Sequence, residues 1–200
     1  MQVKDMKVNN KEIEEAKLNN QIVYRKNKSL ILENIIYNAD FRFGTEGFKK
    51  FVNMVVQDEI EDGYVSWIKM DMSNTRTSMI VQFTKELIEG HSYYGRVTFK
   101  GSEDVFYQWQ QQLNSPNLTD SFGQNGPNEI TIAHIFRDIT TQYRLFYNMV
   151  ASFSDENGKG YMKEPMLVDV TELARTMEDH EIEDLFNKIG FFADKIEYKK

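Results

Sequence analysis

The chain has 200 residues, of which 40% are hydrophobic and 13% aromatic, enough for one medium-sized domain with its own core plus an appendage. It contains no cysteine, which excludes a disulfide framework, a thiol nucleophile and a cysteine-ligated metal site. The net charge of −7 argues against nucleic acid as a partner, and no stretch approaches the ~20 apolar residues of a membrane span.

The first 28 residues differ from the rest in charge and contain a short repeat. They carry seven Lys/Arg against four Asp/Glu in a chain that is acidic overall. The segment 7–13 is echoed at 17–23, and each copy contains an Asn-Asn pair, which suits a tight hairpin turn. We therefore predict a small β-meander arm over residues 1–28 that docks on another surface. The alternative is a solvated, frayed terminus with weak β character.

The predicted strands of this arm are 2–8, 12–18 and 21–26. Three strands of this length bury little surface alone, so we expect the arm to lean on the main domain or on another chain. The apolar residues expected to take part in assembly are Val8, Ile13, Leu18, Ile22 and Val23.

Residues 29–37 are predicted to link the arm to a main domain over 38–173, where the pattern has period two. Runs of alternating apolar and polar residues are separated by glycines, as expected for strands and the turns between them. About eight strands at this spacing predict a mainly β chain whose main domain is an antiparallel β-sandwich or jelly roll. The predicted strands are 51–56, 64–70, 78–83, 92–99, 105–110, 129–136, 144–150 and 161–168.

The last residues, 174–200, are predicted to form a short helical tail that packs on the sandwich. Thr176 or Asp179 is the expected N-cap, and Gly190 is the expected end of the helix. One apolar stripe follows the i, i+3, i+4, i+7 spacing of a helix: Ile182, Leu185, Phe186 and Ile189.

No constellation for catalysis or metal binding stands out. The only histidines are His91, predicted in a turn, His134, predicted in a strand, and His180, predicted at a helix start. None of them forms a ligand pair such as His-x-x-x-His, and there is no Gly-x-Ser-x-Gly motif. Nothing singles out a carboxylate pair of the glycosidase kind either. We therefore predict no enzyme activity, no catalytic residues, no metal and no cofactor.

The predicted strand around 105–112 carries a row of glutamines. Alternation places Val105, Tyr107, Trp109 and Gln111 on one face, expected to be core. Glutamine amides both donate and accept hydrogen bonds, which suits sugar hydroxyls, and an aromatic ring suits the C–H face of a pyranose. The alternatives are an ordinary solvent-facing sheet or a subunit interface. The glycan-contact candidates are Phe106, Gln108, Gln110 and Gln112. Trp67, Tyr93 and Tyr94 are further contributors, but one residue of each alternating pair is expected to belong to the core instead.

Four segments together resemble structural proteins of tailed-phage particles that infect Gram-positive hosts. They are the Asn-Asn repeat, Asn38–Phe48, Leu87–Val97 and Glu164–Leu173. The sequence departs from that pattern after Leu173, where Ala174–Asp179 replaces the usual link, and at Phe48, where a Trp is common. The resemblance implies a tail, baseplate or fibre subunit with a sandwich like that of carbohydrate-binding modules, and no sugar-contacting residue is carried over from it.

The leading hypothesis is therefore a non-enzymatic virion component, located in the phage particle. Its expected partners are copies of itself, with a trimer favoured, and other virion proteins; no nucleic acid and no membrane span is expected. The alternative hypothesis is a carbohydrate-binding adhesin module whose partner is host cell-wall polysaccharide. A wall-polysaccharide hydrolase is the least favoured reading.

Overall fold

The structure, a computed structural model, divides by its contacts into two compact units. The smaller contains residues 1–32 with 196–200, and the larger contains residues 33–195. The structure describes residues 7–8, 11–12, 15–18, 21–25, 29–52, 54–69, 76–101, 105–112, 128–139, 146–153 and 159–199.

The smaller unit is built from two-stranded sheets. Strand β1 (Lys7–Val8) pairs antiparallel with β2 (Lys11–Glu12), and β3 (Glu15–Leu18) pairs antiparallel with β4 (Gln21–Arg25). The two Asn-Asn pairs, at positions 9–10 and 19–20, lie outside the described residues, so their tight turns stay a prediction. The predicted single strand 12–18 is wrong, because β2 and β3 belong to different sheets.

Within the segment expected to be a linker, residues Ser29–Glu33 form β5, which pairs with β15 (Lys195–Lys199). The C-terminal tail thus ends in a strand that the sequence did not predict. Of the assembly candidates, Ile13 lies outside the described residues. The part played in assembly by the other four, Val8, Leu18, Ile22 and Val23, stays a prediction.

The larger unit contains two antiparallel sheets. Their orders are β12-β10-β14-β8-β7 and β11-β13-β9-β6. The described strands that form them are β6 (Phe48–Val52), β7 (Met54–Glu61), β8 (Tyr64–Lys69), β9 (Arg76–Val81), β10 (Tyr93–Gly101), β11 (Val105–Gln112), β12 (Ile130–Phe136), β13 (Phe146–Phe153) and β14 (Lys159–Asp169).

The core of this unit contains side chains from both sheets. Val65 and Trp67 alternate along β8, so they share the face of the five-stranded sheet that is buried. From the four-stranded sheet, Phe48 and Val81 face each other across β6 and β9 and belong to the same apolar cluster. The predicted antiparallel β-sandwich, with its N-terminal β arm and short C-terminal helix, is confirmed.

The predicted strand 51–56 is wrong, because the chain changes sheets within it. Strand β6 ends at Val52 in the four-stranded sheet, and β7 begins at Met54 in the five-stranded sheet. Only one residue separates the two strands, and the apolar run over residues 51–56 continues through the crossing. The sequence pattern alone therefore joins the two strands into one.

Helix α1 (Thr171–Ala174) follows β14, and helix α2 (Asp179–Ile189) covers one end of the outer face of the five-stranded sheet. There the ring of Phe186 stacks on that of Tyr94, with centroids 4.1 Å apart and planes at 13°. The apolar stripe of α2 is confirmed, since Ile182 and Phe186 are fully buried. Among the described residues, no helix combines the length and hydropathy that crossing a bilayer requires.

The ends of α2 test the capping predictions. Gly190 follows the helix with φ +77°, a conformation that favours glycine, so the predicted end is confirmed. The predicted N-cap at Thr176 or Asp179 is wrong, because Glu178 holds that position. The N–H of Glu178 donates to the Glu181 carboxylate at 2.8 Å, half of the reciprocal arrangement that a glutamate at N3 makes at a helix start.

Candidate functional site: a groove beside an exposed aromatic loop

A groove of about 520 Å³ opens on the surface of the larger unit. It lies where residues 33–43 meet the chain segment that follows α2. Its walls combine apolar, amide and charged side chains, the mixture typical of ligand sites. The lining residues are Glu33, Asn34, Ile36, Tyr37, Asn38, Ala39, Asp40, Arg42, Phe43, Thr84, Ala193, Asp194 and Lys195.

Asn34 brings these segments together. Its backbone N–H donates to the Asp194 carbonyl at 2.7 Å, and its side-chain Nδ2 donates to the carbonyls of Pro165 and Phe192 at 3.0 and 3.1 Å. Its Oδ1 accepts the N–H of Leu167 at 3.0 Å. Because Asn34 is buried, these bonds form away from competing water and fix the floor of the groove.

The loop over residues 37–47 forms one wall and is held in shape by Asn38. The Nδ2 group of Asn38 donates to the carbonyls of Gly44 and Glu46 at 2.9 and 3.0 Å, and its Oδ1 accepts the N–H of Phe43 at 3.0 Å. Asn38 and Phe41 both have positive φ, +56° and +58°. Non-glycine residues in this region are uncommon and recur where a loop is preorganised for a ligand.

This loop presents an exposed aromatic ring. The Phe43 side chain is 57% exposed, and its ring lies nearly parallel to that of Tyr37, with centroids 6.4 Å apart and planes at 15°. The Tyr37 hydroxyl donates to Glu46 Oε1 at 2.8 Å, and this hydrogen bond raises the pKa of Tyr37. The hydrogen bond orients the Tyr37 ring beside Phe43, so the two rings form one apolar ledge at the groove.

Charged planar groups lie next to this ledge. Arg42 Nε donates to both carboxylate oxygens of Asp40, at 3.0 and 2.8 Å, and Arg42 Nη2 donates to Asp194 Oδ2 at 3.0 Å. The hydrogen bond from Arg42 lowers the pKa of Asp40, and both carboxylates raise the pKa of Arg42. Asp40 and Arg42 therefore stay ionised at neutral pH. Among the described residues nothing accepts from Arg42 Nη1, which leaves it for a ligand.

An apolar ledge beside fixed planar donors and acceptors suits a ligand with the same two-sided character. A pyranose has an apolar C–H face and hydroxyls that donate and accept at its edge. Arg42 Nη1 can donate to such a hydroxyl, and the Asp40 and Asp194 carboxylates can accept from one. The arrangement therefore offers such a ligand an apolar surface with hydrogen-bond donors and acceptors beside it.

The three histidines occupy the positions that the sequence predicts. His91 precedes β10, His134 lies in β12 and His180 in the first turn of α2. His91 Nδ1 lies 2.6 Å from Asp169 Oδ2; burial alone would raise the pKa of this carboxyl, but the hydrogen bonds from Thr171 and His91 lower it overall. Within the described part of the chain, no three His, Asp or Glu side chains converge as metal ligands would.

The glutamine row lies in β11, an edge strand of the four-stranded sheet. Register through β13 and β9 places the row on the face opposite to that of the buried Val81. The side chains of these residues lie outside the described part of the structure, so their contact with glycans stays a prediction. The residues of the row are Phe106, Gln108, Gln110 and Gln112.

The three other aromatic residues considered as sugar contacts in the sequence are buried. Trp67 and Tyr93 lie in the core between the sheets, and Tyr94 lies beneath α2, where burial raises its pKa to about 12. Both faces of this stretch of β10 are covered, one by the second sheet and one by the helix. Trp67, Tyr93 and Tyr94 therefore offer no surface to a sugar.

The residues of the groove were missed by sequence reasoning. Its aromatic and charged residues, Tyr37, Asp40, Arg42 and Phe43, are close in sequence, whereas Asp194 is 152 positions from Arg42. The available signal was local: an asparagine and two glycines, all at positive φ, around a cluster of aromatic residues. That signal indicates a shaped loop but not the segment that completes the groove.

No protein-family model matches the sequence, and no curated protein matches it. Among solved structures, the chain is similar to a family 16 carbohydrate-binding module, with 14% identity, TM-score 0.46, and coverage of 68% of this chain and 100% of that one. It is similar to the CBM22-1 xylan-binding domain from Paenibacillus barcinonensis Xyn10C, with 11% identity, TM-score 0.44, and coverage of 72% and 96%.

A further similarity is to the enzymatically active domain of tailspike protein 4 of bacteriophage CBA120. The identity is 12%, the TM-score 0.45, and the coverage 67% of this chain and 21% of that one. Each of these TM-scores is below 0.5, so none of the similarities supports a conclusion about the role of this chain. The β-sandwich is assigned from the order and register of its sheets.

Proposed function

We propose that the chain is a carbohydrate-binding protein without catalytic activity, and that the groove beside Phe43 is its sugar site. The observation that carries this proposal is an exposed aromatic ledge next to Arg42, whose Nη1 donates to none of the residues that the structure describes. A ring that is 57% exposed gains by being covered, since burying apolar area contributes about 25 cal/mol per Å². Covering it with a sugar also places hydroxyls beside Arg42 and Asp40.

The rigidity of the site supports the same function. Three hydrogen bonds from Asn38 fix the loop, and the Asn34 bonds fix the segment opposite it. A site that is already ordered loses little conformational entropy on binding, which helps a weakly interacting ligand such as a sugar. The larger unit therefore holds its recognition groups in place before the ligand arrives.

The proposal is tested by removing the exposed ring. In affinity electrophoresis through a panel of neutral polysaccharides, Phe43→Ala should weaken binding to the polymer that retards the wild type by about tenfold or more, because covering a side chain of this size contributes roughly 1.5–3 kcal/mol. The fold should be unaffected, since Phe43 lies at the surface.

Ile88→Ala is the matched control. Ile88 is an equally prominent apolar side chain, 52% exposed, but it does not line the groove. Its truncation should leave retention unchanged. Three results would refute the sugar site. Phe43→Ala and Ile88→Ala could lose the same affinity, Phe43→Ala could bind as tightly as the wild type, or no polysaccharide could retard the wild-type chain.

We also propose, on the order of the four sequence motifs, that the chain is a subunit of a phage particle and assembles through its N-terminal arm. Light scattering at high protein concentration should then give the mass of a homo-oligomer, with a trimer favoured. Replacing Ile22 and Val23 of β4 together by Glu should reduce that mass to one chain, because charges would enter the proposed contact. A wild-type protein that stays monomeric would remove this role.

A further inference from the structure

A second cluster of aromatic and charged side chains lies on the outer face of the five-stranded sheet. Helix α2 covers one end of this face, where Phe186 stacks on Tyr94. At the other end, strands β8, β10 and β14 carry two tyrosines and three lysines. We call this cluster the tyrosine–lysine face; it consists of Tyr64, Lys100, Lys159, Tyr161 and Lys163.

Strand register explains why these residues meet. Lys100 of β10 lies directly opposite Tyr161 of β14, and Tyr161 lies opposite Ser66 of β8. Their neighbours along the strands, Phe99 and Met162, belong to the core. Because side chains alternate, Lys100 and Tyr161 lie on the opposite, outer face.

The ammonium groups lie on the faces of the tyrosine rings. The rings of Tyr64 and Tyr161 meet edge to face, with centroids 6.1 Å apart and planes at 83°. Lys100 Nζ lies 3.9 Å from the Tyr64 centroid and 5.0 Å from the Tyr161 centroid. Lys163 Nζ lies 4.8 Å from Tyr64, and Lys159 Nζ lies 4.9 Å from Tyr161. Each distance is within the range of a cation–π contact.

Two carboxylates neutralise two of the three ammonium groups. Glu129 Oε2 lies 2.7 Å from Lys163 Nζ, and Glu61 pairs with Lys159. These lysine hydrogen bonds lower the pKa of both glutamates, so both remain ionised. Lys100 has no carboxylate within 4 Å among the described residues, although it is half-buried between the rings. The cluster therefore carries one positive charge more than its own carboxylates balance.

We propose that the tyrosine–lysine face binds an anionic group, a phosphate or a carboxylate, carried by a polysaccharide. Lys100 is half-buried and forms no ion pair within 4 Å with a described residue, so a ligand anion beside it would gain a hydrogen bond between charged groups. The half-buried ring of Tyr161 offers an apolar edge to the sugar that carries the anion, whereas Tyr64 is buried. The lysines form a compact cluster rather than a stripe, which fits one anionic group and not an extended nucleic-acid backbone.

This site is separate from the groove and goes beyond the function proposed above. Its probes are polygalacturonate for a carboxylate and phosphomannan for a phosphate, with neutral mannan as the uncharged counterpart of phosphomannan. At low ionic strength the chain should bind at least one of the two anionic polymers more tightly than mannan, and added salt should weaken that binding. The polymer that is preferred identifies the anion.

Lys100→Met should lower the affinity for the preferred anionic polymer roughly tenfold, because a hydrogen bond between charged groups contributes about 1.5–3 kcal/mol. Lys100→Arg keeps the charge and should bind within about threefold of the wild type, which guards against a loss that merely reflects misfolding. Lys188→Met removes the same charge from the exposed end of α2 and should change the affinity less than about twofold.

Three results would overturn the proposal. The wild-type chain could bind mannan as tightly as both anionic polymers, or Lys188→Met could weaken binding as much as Lys100→Met. Duplex DNA could also bind as tightly as the polysaccharides with the same dependence on Lys100, and the ligand would then be a nucleic acid and not an anionic polysaccharide. Phe43→Ala leaves the tyrosine–lysine face intact. If the groove binds no sugar, the chain should therefore still bind the anionic polymer.

Discussion

Asn34→Ala should destabilise the larger unit by about 4 kcal/mol and lower its midpoint of thermal unfolding by roughly 10 °C. The substitution leaves four backbone groups without their partners, three of them in buried hydrogen bonds and one in a partly buried bond. The carbonyls of Pro165 and Phe192 lose a donor, and the N–H groups of Ile36 and Leu167 lose an acceptor. A buried polar group left unpaired costs about 1–3 kcal/mol. Because the neighbouring chain can rearrange in part, the total loss of stability should be smaller than the sum of four such costs.

Urea denaturation of Asn34→Ala beside the wild type measures this effect. Asn187→Ala is the control, since Asn187 is exposed on α2, and its free energy of unfolding should stay within about 0.5 kcal/mol of the wild type. If Asn34→Ala matched the control, the hydrogen bonds of Asn34 would not hold the groove segments together. Sugar binding should also weaken in Asn34→Ala, because the lost side-chain bond to the Phe192 carbonyl helps to hold the segment that carries Asp194.

Gly160→Ala should destabilise the larger unit by about 3 kcal/mol, because the added methyl group has no room. Gly160 of β14 lies directly opposite Trp67 of β8, and the indole occupies the space above the glycine. A Cβ atom at Gly160 would lie 2.4 Å from Trp67 Cζ2 and 2.5 Å from Cε2. Trp67 is 1% exposed and packed in the core, so it cannot turn away without disturbing its neighbours.

A double-mutant cycle separates this clash from a general intolerance of alanine in β14. Trp67→Phe removes the ring atoms nearest to Gly160, so Gly160→Ala should cost clearly less in the Trp67→Phe background than in the wild type. The free energies of unfolding of the four proteins give the coupling. Strictly additive effects would show that the indole does not fill the space above Gly160.

The fold was predictable because its signals are local. Val65 and Trp67, like Val97 and Phe99, are two residues apart, so alternation alone places each pair on one face of a strand. The stripe containing Ile182 and Phe186 likewise follows from the helical period. Such patterns need no knowledge of what the buried face packs against.

The groove was not predictable, because its construction depends on contacts distant in sequence. Asn34 is one polar residue in an apolar run, and its sequence context suits a linker. Its role comes from partners such as Pro165 and Phe192, which are 131 and 158 positions away. Arg42 is similarly paired with Asp194 only after folding. Local propensity contains no information on such pairs.

Strand pairing also decided details that propensity left open. The change of sheet between Val52 and Met54 falls within one apolar run, so only the pairing partners reveal it. At the start of α2, Thr176 and Asp179 are better intrinsic N-caps than Glu178. The bond between Glu178 and Glu181 nevertheless sets the helix start.

A two-dimensional NMR titration with an oligosaccharide from the polymer that binds best tests the central claim most directly. The largest amide shifts should fall in the loop over residues 37–47 and at residues 193–195, which together line the groove. Shifts confined to strand β11 around Gln108 and Gln110, with the groove unchanged, would contradict the account and move the sugar site to the outer face of the four-stranded sheet.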